Sequence, residues 1–163
     1  MTTRKQPQAN PVFMQTAIAL ATENVTRGAG GPFGAVVVRG DEIIATGVNC
    51  VTLHNDPTAH AEVTAIRAAC AALNNFHLTD CVIYSSCEPC PMCLAAIYWS
   101  RCAAIFYGNT AADAAAAGFN DSLIFGELRK PFAERSIPML QLLPDQAIAS
   151  FDAWRNSTER IDY

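Results

Sequence analysis

An imidazole, a carboxylate and two thiols in the middle of this chain have the types and spacing that metal-dependent hydrolysis requires. His60 and Glu62 lie two residues apart, and Cys90 and Cys93 follow later in a Pro-Cys-x-x-Cys run. One neutral imidazole and two thiolates can bind zinc and leave its fourth tetrahedral position open for water. Zinc lowers the pKa of such a water to about 7, and a nearby carboxylate that is not a ligand can move its protons. We therefore expect His60, Cys90 and Cys93 to bind Zn²⁺ and Glu62 to be the catalytic proton carrier.

Cys87 leaves a second interpretation of this motif open, because Cys87-x-x-Cys90-x-x-Cys93 offers two overlapping pairs of thiols. Four protein ligands would make a closed zinc site with a purely structural role. However, Cys87 follows the strand-like run 82–86, so its side chain can point away from the other two thiols. A closed site would also leave Glu62 without a role. We predict that Cys87 lies outside the metal site.

The composition is that of a globular protein. The 163 residues suffice for one domain with a substantial core, and 51% of them are hydrophobic while 16% are charged. The net charge of −4, with 11 scattered Lys and Arg residues, argues against a nucleic-acid partner, which normally selects a basic face. We predict a single domain spanning residues 1–163.

The cysteines and the apolar runs predict a cytoplasmic protein. Seven cysteines are an odd number, and three of them crowd the predicted metal site, which is not the pattern of a disulfide scaffold. We expect the other four to be buried as small hydrophobic side chains. No apolar run approaches membrane-spanning length, and residues 1–7 lack the apolar segment of a secretory signal, so we expect no membrane association.

Hydrophobic periodicity and turn residues predict alternating helices and strands. We expect Asp56 or Thr58 to cap the predicted helix at 59–73. The order predicts an α/β fold, a three-layer α/β/α sandwich with a mixed sheet. His60 and the cysteine pair then lie at the starts of helices that follow the sheet, where a helix N-terminus favours thiolates. The predicted elements are a helix at 12–27, paired strands at 33–38 and 42–48, a helix at 59–73, a strand at 80–86, a helix at 91–100 and a strand at 103–108.

His-x-Glu followed by Pro-Cys-x-x-Cys is the signature of zinc-dependent nucleobase deaminases. From Pro32 through Trp99 the chain resembles the cytidine deaminase-like superfamily, whose members hydrolyse amino groups from cytosine, adenine or guanine rings. Further segments resemble the bacterial guanine deaminases of this superfamily; they are residues 49–62, 95–101, 117–123, 151–155 and 162–163.

The resemblance implies an activity and an assembly. Guanine would be hydrolysed to xanthine and ammonia, with zinc-bound hydroxide attacking the amino-bearing ring carbon and Glu62 moving the protons. The partner would be a small-molecule purine base. Two chains would form a homodimer that exchanges its C-terminal segments, residues 144–163, so that the tail of one chain closes the active site of the other.

The resemblance also implies five residues of the substrate pocket. Asn49 would hydrogen-bond the purine, and Phe33 and Trp99 would pack against the ring and the pocket wall. Asp121 would accept hydrogen bonds from guanine, and Tyr163 would cap the partner's pocket. Asp121 has a physical reason of its own, because guanine presents two adjacent donors whereas adenine presents an acceptor that a carboxylate repels. Each residue keeps a plainer interpretation: a helix cap for Asp121, a turn residue for Asn49, core positions for Phe33 and Trp99, and packing within its own chain for the tail that ends at Tyr163.

Other functions remain open at this point. The same motif serves adenosine deaminases of tRNA and cytidine or deoxycytidylate deaminases, although the acidic ending 159–163 and the lack of an identifiable phosphate-binding cluster argue against them. A non-catalytic, zinc-stabilised binding protein is the alternative from another class, and an intact Glu62 argues against it. Glu127 is a second carboxylate near Asp121 that could relay protons.

Overall fold

A four-stranded sheet with helices on both faces forms the framework of the chain. The computed structural model describes residues 8–163; residues 1–7, on which the expectation of a missing secretory signal rests, lie outside the described residues. Two compact units divide the chain, Met1–Asp121 and Ser122–Tyr163. The helices are α1 Pro11–Thr26, α2 Val51–His54, α3 Ala61–Leu73, α4 Pro91–Trp99, α5 Ala111–Ala116, α6 Ser122–Arg129 and α7 Pro144–Asn156, and the strands are β1 Gly34–Arg39, β2 Glu42–Val48, β3 Cys81–Cys87 and β4 Ala104–Asn109.

The sheet is mixed, with the strand order β2-β1-β3-β4. β1 pairs antiparallel with both β2 and β3, whereas β3 and β4 are parallel. The β1–β2 connection is the hairpin expected around Gly40, whose φ of 61° suits a residue without a side chain. The parallel pair requires a crossover, which α4 provides. This topology confirms the predicted mixed sheet.

Helices cover both faces of β1, which explains the unbroken apolar sequence of this strand. Val36 and Val38 of β1 belong to the apolar cluster that packs against α1. Ala35 and Val37 point to the other face, where they pack with α3 and with Ile97 of α4. Side chains alternate between the faces of a strand, so burial of both sets requires a layer on each side. The predicted three-layer α/β/α sandwich is therefore confirmed.

The packing of α3 on the sheet is unusually close at one point, beside the start of α3. A Cβ atom at Gly47 of β2 would lie 2.2 Å from the carbonyl oxygen of Ala61 and 2.5 Å from the backbone nitrogen of Ala65. Ala61 and Ala65 are themselves fully buried. Small residues on both sides thus allow the backbones of β2 and α3 to approach each other directly.

We expect Gly47→Ala to destabilise the fold by about 1–3 kcal/mol, because the added methyl group meets backbone atoms that cannot rotate away. Urea denaturation would measure the loss. Gly126→Ala is the matched control, since a Cβ at Gly126 meets no atom within 4 Å. A Gly47→Ala variant as stable as the native chain would show that α3 can shift at no cost.

The cysteines outside the metal-binding motif are only partly as expected. All seven cysteines are free thiols. Cys50 and Cys81 are buried, as predicted, but Cys70 and Cys102 are half-buried. Cys102 lies beside Ser100, with 3.3 Å between its sulfur and the Ser100 hydroxyl oxygen. Burial raises the pKa of the Cys70 and Cys102 thiols, which therefore stay protonated and unreactive at neutral pH.

The second unit, Ser122–Tyr163, consists of α6, a 3₁₀ turn at Phe132–Glu134 and α7. Its large apolar side chains are mostly exposed in the single chain, with Leu140 at 90% and Leu142 at 81%. Within residues 8–163, no helix is both long enough and apolar enough to cross a membrane. The prediction of one domain with an exchanged C-terminal segment stays a prediction.

Candidate active site

Two helix starts carry the predicted metal ligands. His60 is the N-cap of α3 and Cys90 is the N-cap of α4, and both have extended backbone angles, with φ of −71° and −63°. Neither side chain makes a capping hydrogen bond. The side chain that would ordinarily cap the helix is instead available to a ligand.

The prediction that Asp56 or Thr58 caps α3 is wrong, because the N-cap is His60. Asp56 accepts hydrogen bonds from the backbone N–H and the hydroxyl of Thr58, at 2.8 and 2.7 Å, so both residues form a turn before the helix. The helix begins at Ala61, two residues later than predicted, and the short helix α2 precedes the turn. This later start places both His60 and Glu62 within reach of one point, because they flank the first residue of α3.

The distances between the three ligand atoms suit zinc. His60 Nδ1 lies 3.6 Å from Cys90 Sγ and 3.4 Å from Cys93 Sγ, and all three atoms lie within 4.8 Å of one another. Zinc bonds of about 2.3 Å to sulfur and about 2.05 Å to nitrogen, at tetrahedral angles, would place sulfur and nitrogen about 3.5 Å apart. One imidazole and two thiols therefore have both the chemistry and the spacing of a three-ligand zinc site.

The protonation of the cluster also suits a cation. A hydrogen bond from Cys93, assisted by His60, lowers the pKa of Cys90 to about 4. The pKa of Cys93 is raised, because its thiol donates to the Cys90 thiolate, because it is buried and because Glu62 is close by. The hydrogen bond with Cys90 raises the pKa of His60. The cluster thus already stabilises one thiolate, and a cation would replace the remaining protons.

Glu62 lies beside the cluster as a buried carboxylate. Its side chain is 6% exposed, and Ser85 of β3 donates a hydrogen bond of 3.1 Å to its Oε1. Burial raises the pKa of Glu62, although hydrogen bonds from its own backbone N–H, Cys93 and Ser85 act in the opposite direction. A carboxyl group with a raised pKa can both accept and donate a proton near neutral pH.

Cys87 is turned away from these ligands. Its thiol is 3.7 Å from the carbonyl oxygen of Thr110, to which it donates. Burial, followed by the negative charge of Glu62, raises the pKa of Cys87 to about 11, so it stays a thiol at neutral pH. Among residues 8–163, the group that could hold a metal contains His60, Cys90 and Cys93 but not Cys87. This geometry agrees with the open, three-ligand interpretation.

A cavity of about 460 Å³ opens beside the metal-binding cluster. His60 forms one part of its wall, and Asn49 forms another. Asn49 is 8% exposed, and its side-chain oxygen accepts a hydrogen bond of 3.4 Å from Val51. The cavity has the size of a small-molecule site. Its wall consists of Gly28, Gly30, Gly31, Asn49, Val51, Thr52, His60 and Phe119.

Comparison with known proteins identifies the family. The zinc-binding region of the cytidine and deoxycytidylate deaminases matches residues 7–109, which include the His60, Glu62 and Cys90–Cys93 motifs. The chain belongs to this deaminase family. The match covers both helix starts and all four strands.

Individual relatives extend the likeness beyond the motif. The guanine deaminase of Bacillus subtilis (strain 168) is 54% identical over 93% of this chain and 97% of its own length. The X-ray structure of guanine deaminase from Bacillus subtilis superposes with a TM-score of 0.92 at 52% identity, covering 96% of this chain and 99% of that one. A tRNA-specific adenosine deaminase of Buchnera aphidicola is 42% identical over 59% of each chain.

Three other residues predicted for the pocket of this deaminase, Phe33, Asp121 and Trp99, are not part of the cavity wall. Phe33 packs edge-on against the cavity residue Phe119, with ring centroids 4.9 Å apart. Asp121 is close enough for its charge to act on Cys87. Trp99 is 68% exposed in the single chain, so the alternative interpretation of Trp99 as a core residue is wrong.

Tyr163 and Glu127 belong to the second unit. The Tyr163 ring packs against Trp154, with centroids 6.4 Å apart. Glu127 accepts hydrogen bonds from the Lys130 ammonium group at 2.6 Å and from the backbone and hydroxyl of Ser136 at 2.6 and 3.0 Å. The bond from Lys130, followed by those from Ser136, lowers the pKa of Glu127 to about 2. This carboxylate braces the loop after α6, and such a low pKa does not suit a proton relay.

Sequence reasoning missed two buried polar residues that contact the site, and the signal for one of them was present. Phe13, Ala17 and Ala21 form the buried stripe of α1, and Asn24 continues it at helical spacing. A polar side chain on a buried helix face must find partners, which made Asn24 detectable. Ser85 gave no such signal, since serine in a strand is unremarkable until its neighbours across the sheet are known.

Proposed function

We propose that this chain is a zinc-dependent aminohydrolase that converts guanine and water to xanthine and ammonia. The observation that carries the proposal is the buried Glu62 beside the His60, Cys90 and Cys93 cluster, in a chain 54% identical to a guanine deaminase over 93% of its length. A purine base is a compact, flat molecule of the class that a cavity of about 460 Å³ accommodates.

Glu62 has the position and environment of a proton carrier in this reaction. Zinc, when bound, supplies a Lewis acid that lowers the pKa of water to about 7. Glu62 accepts a proton from the attacking water and delivers protons to the ring nitrogen and then to the departing amino group. Ser85 holds Oε1 by its hydrogen bond and so fixes the position of the carboxyl group. Burial raises the pKa of Glu62, which favours proton donation by this carboxyl group.

The pocket residues divide the recognition of guanine between an amide and a carboxylate. Asn49 lines the cavity and offers both a donor and an acceptor to the purine ring. Asp121 accepts from the ring N–H and the 2-amino group, which are adjacent on guanine. Phe33 supports the cavity wall through its contact with Phe119. Trp99 is 68% exposed and does not line this cavity in the single chain, so its role in the pocket rests on the resemblance alone.

We expect Asp121→Asn to lower kcat/KM for guanine by on the order of 10²-fold, because one carboxylate that accepts two hydrogen bonds becomes an amide with a single acceptor. Zinc content and melting temperature should change little. Asp113→Asn is the matched control, since Asp113 caps α5 through its bonds with Thr110. Unchanged selectivity with a lowered melting temperature would instead make Asp121 a cap of α6.

Two chains are proposed to form a homodimer in which residues 144–163 of one chain close the active site of the other. The support comes from the resemblance to bacterial guanine deaminases and from the aromatic tail. Phe151, Trp154 and Tyr163 are 63%, 40% and 68% exposed in the single chain. Large exposed apolar surface of this kind is a feature of protein interfaces.

Complementation between two inactive chains tests this exchange. One chain carries Glu62→Gln and the other lacks residues 161–163. We expect a refolded mixture to regain part of the native activity, because one site of the heterodimer combines the intact Glu62 of the truncated chain with the intact tail of its partner. Ammonia release measures the recovery. Heterodimers that form but stay inactive would mean that the tail acts within its own chain.

A single assay tests the function as a whole. Ammonia release is measured with guanine, adenine, cytosine, guanosine, cytidine and a tRNA anticodon stem, each at the same concentration. We expect release from guanine to dominate. Release from the tRNA stem would favour the adenosine deaminase alternative. This alternative is tested because a tRNA-specific adenosine deaminase is 42% identical over 59% of the chain. Release from none of them would favour a zinc-stabilised binding protein.

A further inference from the structure

Asn24 is a buried amide that the proposed reaction does not use. It lies in the last turns of α1, is 5% exposed and occupies the face of the helix that packs on the sheet. Asparagine is a poor residue for a helix interior because its side chain competes for backbone hydrogen bonds. Burial adds the cost of removing the amide from water, so its presence there calls for specific partners.

Those partners are two carbonyl oxygens from two different walls of the active-site cavity. The Asn24 Nδ2 group donates to the carbonyl oxygen of Gly31 at 2.8 Å and to that of Asn49 at 2.9 Å. Gly31 belongs to the loop between α1 and β1, and Asn49 follows β2. Both residues line the cavity. An Asn amide has two N–H donors, and here each of them holds one wall.

The backbone of Asn49 is consequently held from both sides. Its N–H donates to the carbonyl oxygen of Phe33 at 3.1 Å, and its own carbonyl oxygen accepts from Asn24. The approach of the loop is so close that a Cβ at Gly30 would lie 2.1 Å from the Asn49 oxygen and 2.9 Å from Asn24 Nδ2. Asn24 thus holds the backbone from which the Asn49 side chain reaches the cavity.

We propose that Asn24 is a positioning residue for the substrate, acting through Asn49 and the loop 28–31. This inference rests on the proposed function and deepens it: Asn24 sets how tightly the purine ring is held, and the chemistry of proton transfer at Glu62 does not depend on it. The expected signature is a loss of binding with little change in turnover.

Two variants and a matched control test this role. Asn24→Ala removes both donors, and Asn24→Ser keeps a single, shorter donor for the case in which Asn24→Ala does not fold. Ser100→Ala is the control, because the buried Ser100 hydroxyl donates to the carbonyl oxygen of Ile97 at 2.9 Å and Ser100 does not line the cavity. For each zinc-loaded chain, kcat and KM for guanine, Kd for xanthine, melting temperature and hydrogen exchange are measured.

We expect Asn24→Ala to raise KM and Kd by about tenfold while kcat stays within about twofold of the native value. Asn24→Ser should lie between this variant and the native chain, and Ser100→Ala should lower only the melting temperature. Hydrogen exchange should become faster in residues 28–33 and 49–52. An unchanged KM with a melting temperature lowered as in Ser100→Ala would overturn the proposal.

Failure of the proposed function would look different. A native chain that releases no ammonia from guanine contradicts the assigned reaction. Hydrogen exchange then tests the positioning role of Asn24 by itself, because this measurement needs no substrate. Faster exchange confined to residues 28–33 and 49–52 supports the control of Asn49 by Asn24, whereas exchange unchanged in those residues refutes it.

Discussion

Replacement of Glu62 by Gln should reduce ammonia release from guanine by about 10²–10⁴-fold, with the zinc retained. Gln has nearly the same shape and keeps an oxygen that can accept the hydrogen bond from Ser85. An amide, however, cannot accept and return a proton at neutral pH. Because burial penalises the charged carboxylate, the neutral side chain should leave the melting temperature unchanged or raise it.

The matched control for this variant is Glu88→Gln. Glu88 Oε2 accepts a hydrogen bond of 3.0 Å from the backbone N–H of Ala111, and a Gln oxygen can do the same. We expect Glu88→Gln to keep native turnover and native zinc content. Loss of zinc in parallel with activity in Glu62→Gln would give Glu62 a role in holding the metal and would refute its assignment as a proton carrier.

Replacement of Cys93 by Ala should weaken zinc binding by more than about 100-fold and abolish activity, since changes even to the partners of metal ligands cost 10–100-fold in affinity. Cys93 is fully buried, and its sulfur lies 3.4 Å from His60 Nδ1. Zinc content after dialysis and the dissociation constant from a chelator titration measure the effect.

Cys87→Ala is the comparison that makes this result specific. It removes a thiol only three residues from Cys90, from the same short segment of chain, but one that points to the carbonyl oxygen of Thr110. We expect it to keep one zinc per chain and most of the native activity. Zinc loss from Cys87→Ala comparable to that from Cys93→Ala would make the site a closed, four-ligand structural one.

The metal-binding cluster and the sheet were largely predictable because each depends on short segments. The motif brings His60 and Glu62 together within the first turn of one helix, and Cys90 and Cys93 within the first turn of another. The buried strand β1 was visible as a continuous apolar run with a turn at Gly40. Such features can be predicted from the chemistry of neighbouring residues and from apolar residues that recur every two or 3.6 positions.

Features that depend on contacts distant in sequence could not be predicted in the same way. The N-cap of α3 fell on His60, because Asp56 and Thr58 bond to each other in the turn before the helix. The need for Gly at position 47 arises from the backbone of α3, which the sequence of β2 does not contain. The exposure of Trp99 likewise depends on what covers the outer face of α4, and an apolar helix alone does not indicate it.

The two helix starts that meet at the metal-binding cluster also make the bound ion a cross-link. His60 and Cys90 are 30 residues apart, so zinc closes a loop that includes α3 and β3. Joining residues at this separation reduces the chain entropy of the unfolded state by an amount worth on the order of 3–4 kcal/mol, if zinc stays bound to the unfolded chain as a disulfide would. Zinc that is released on unfolding stabilises the native state through its binding free energy instead. In either case the heat resistance of a preparation reports its zinc occupancy, and partly loaded samples will melt as a mixture of two populations.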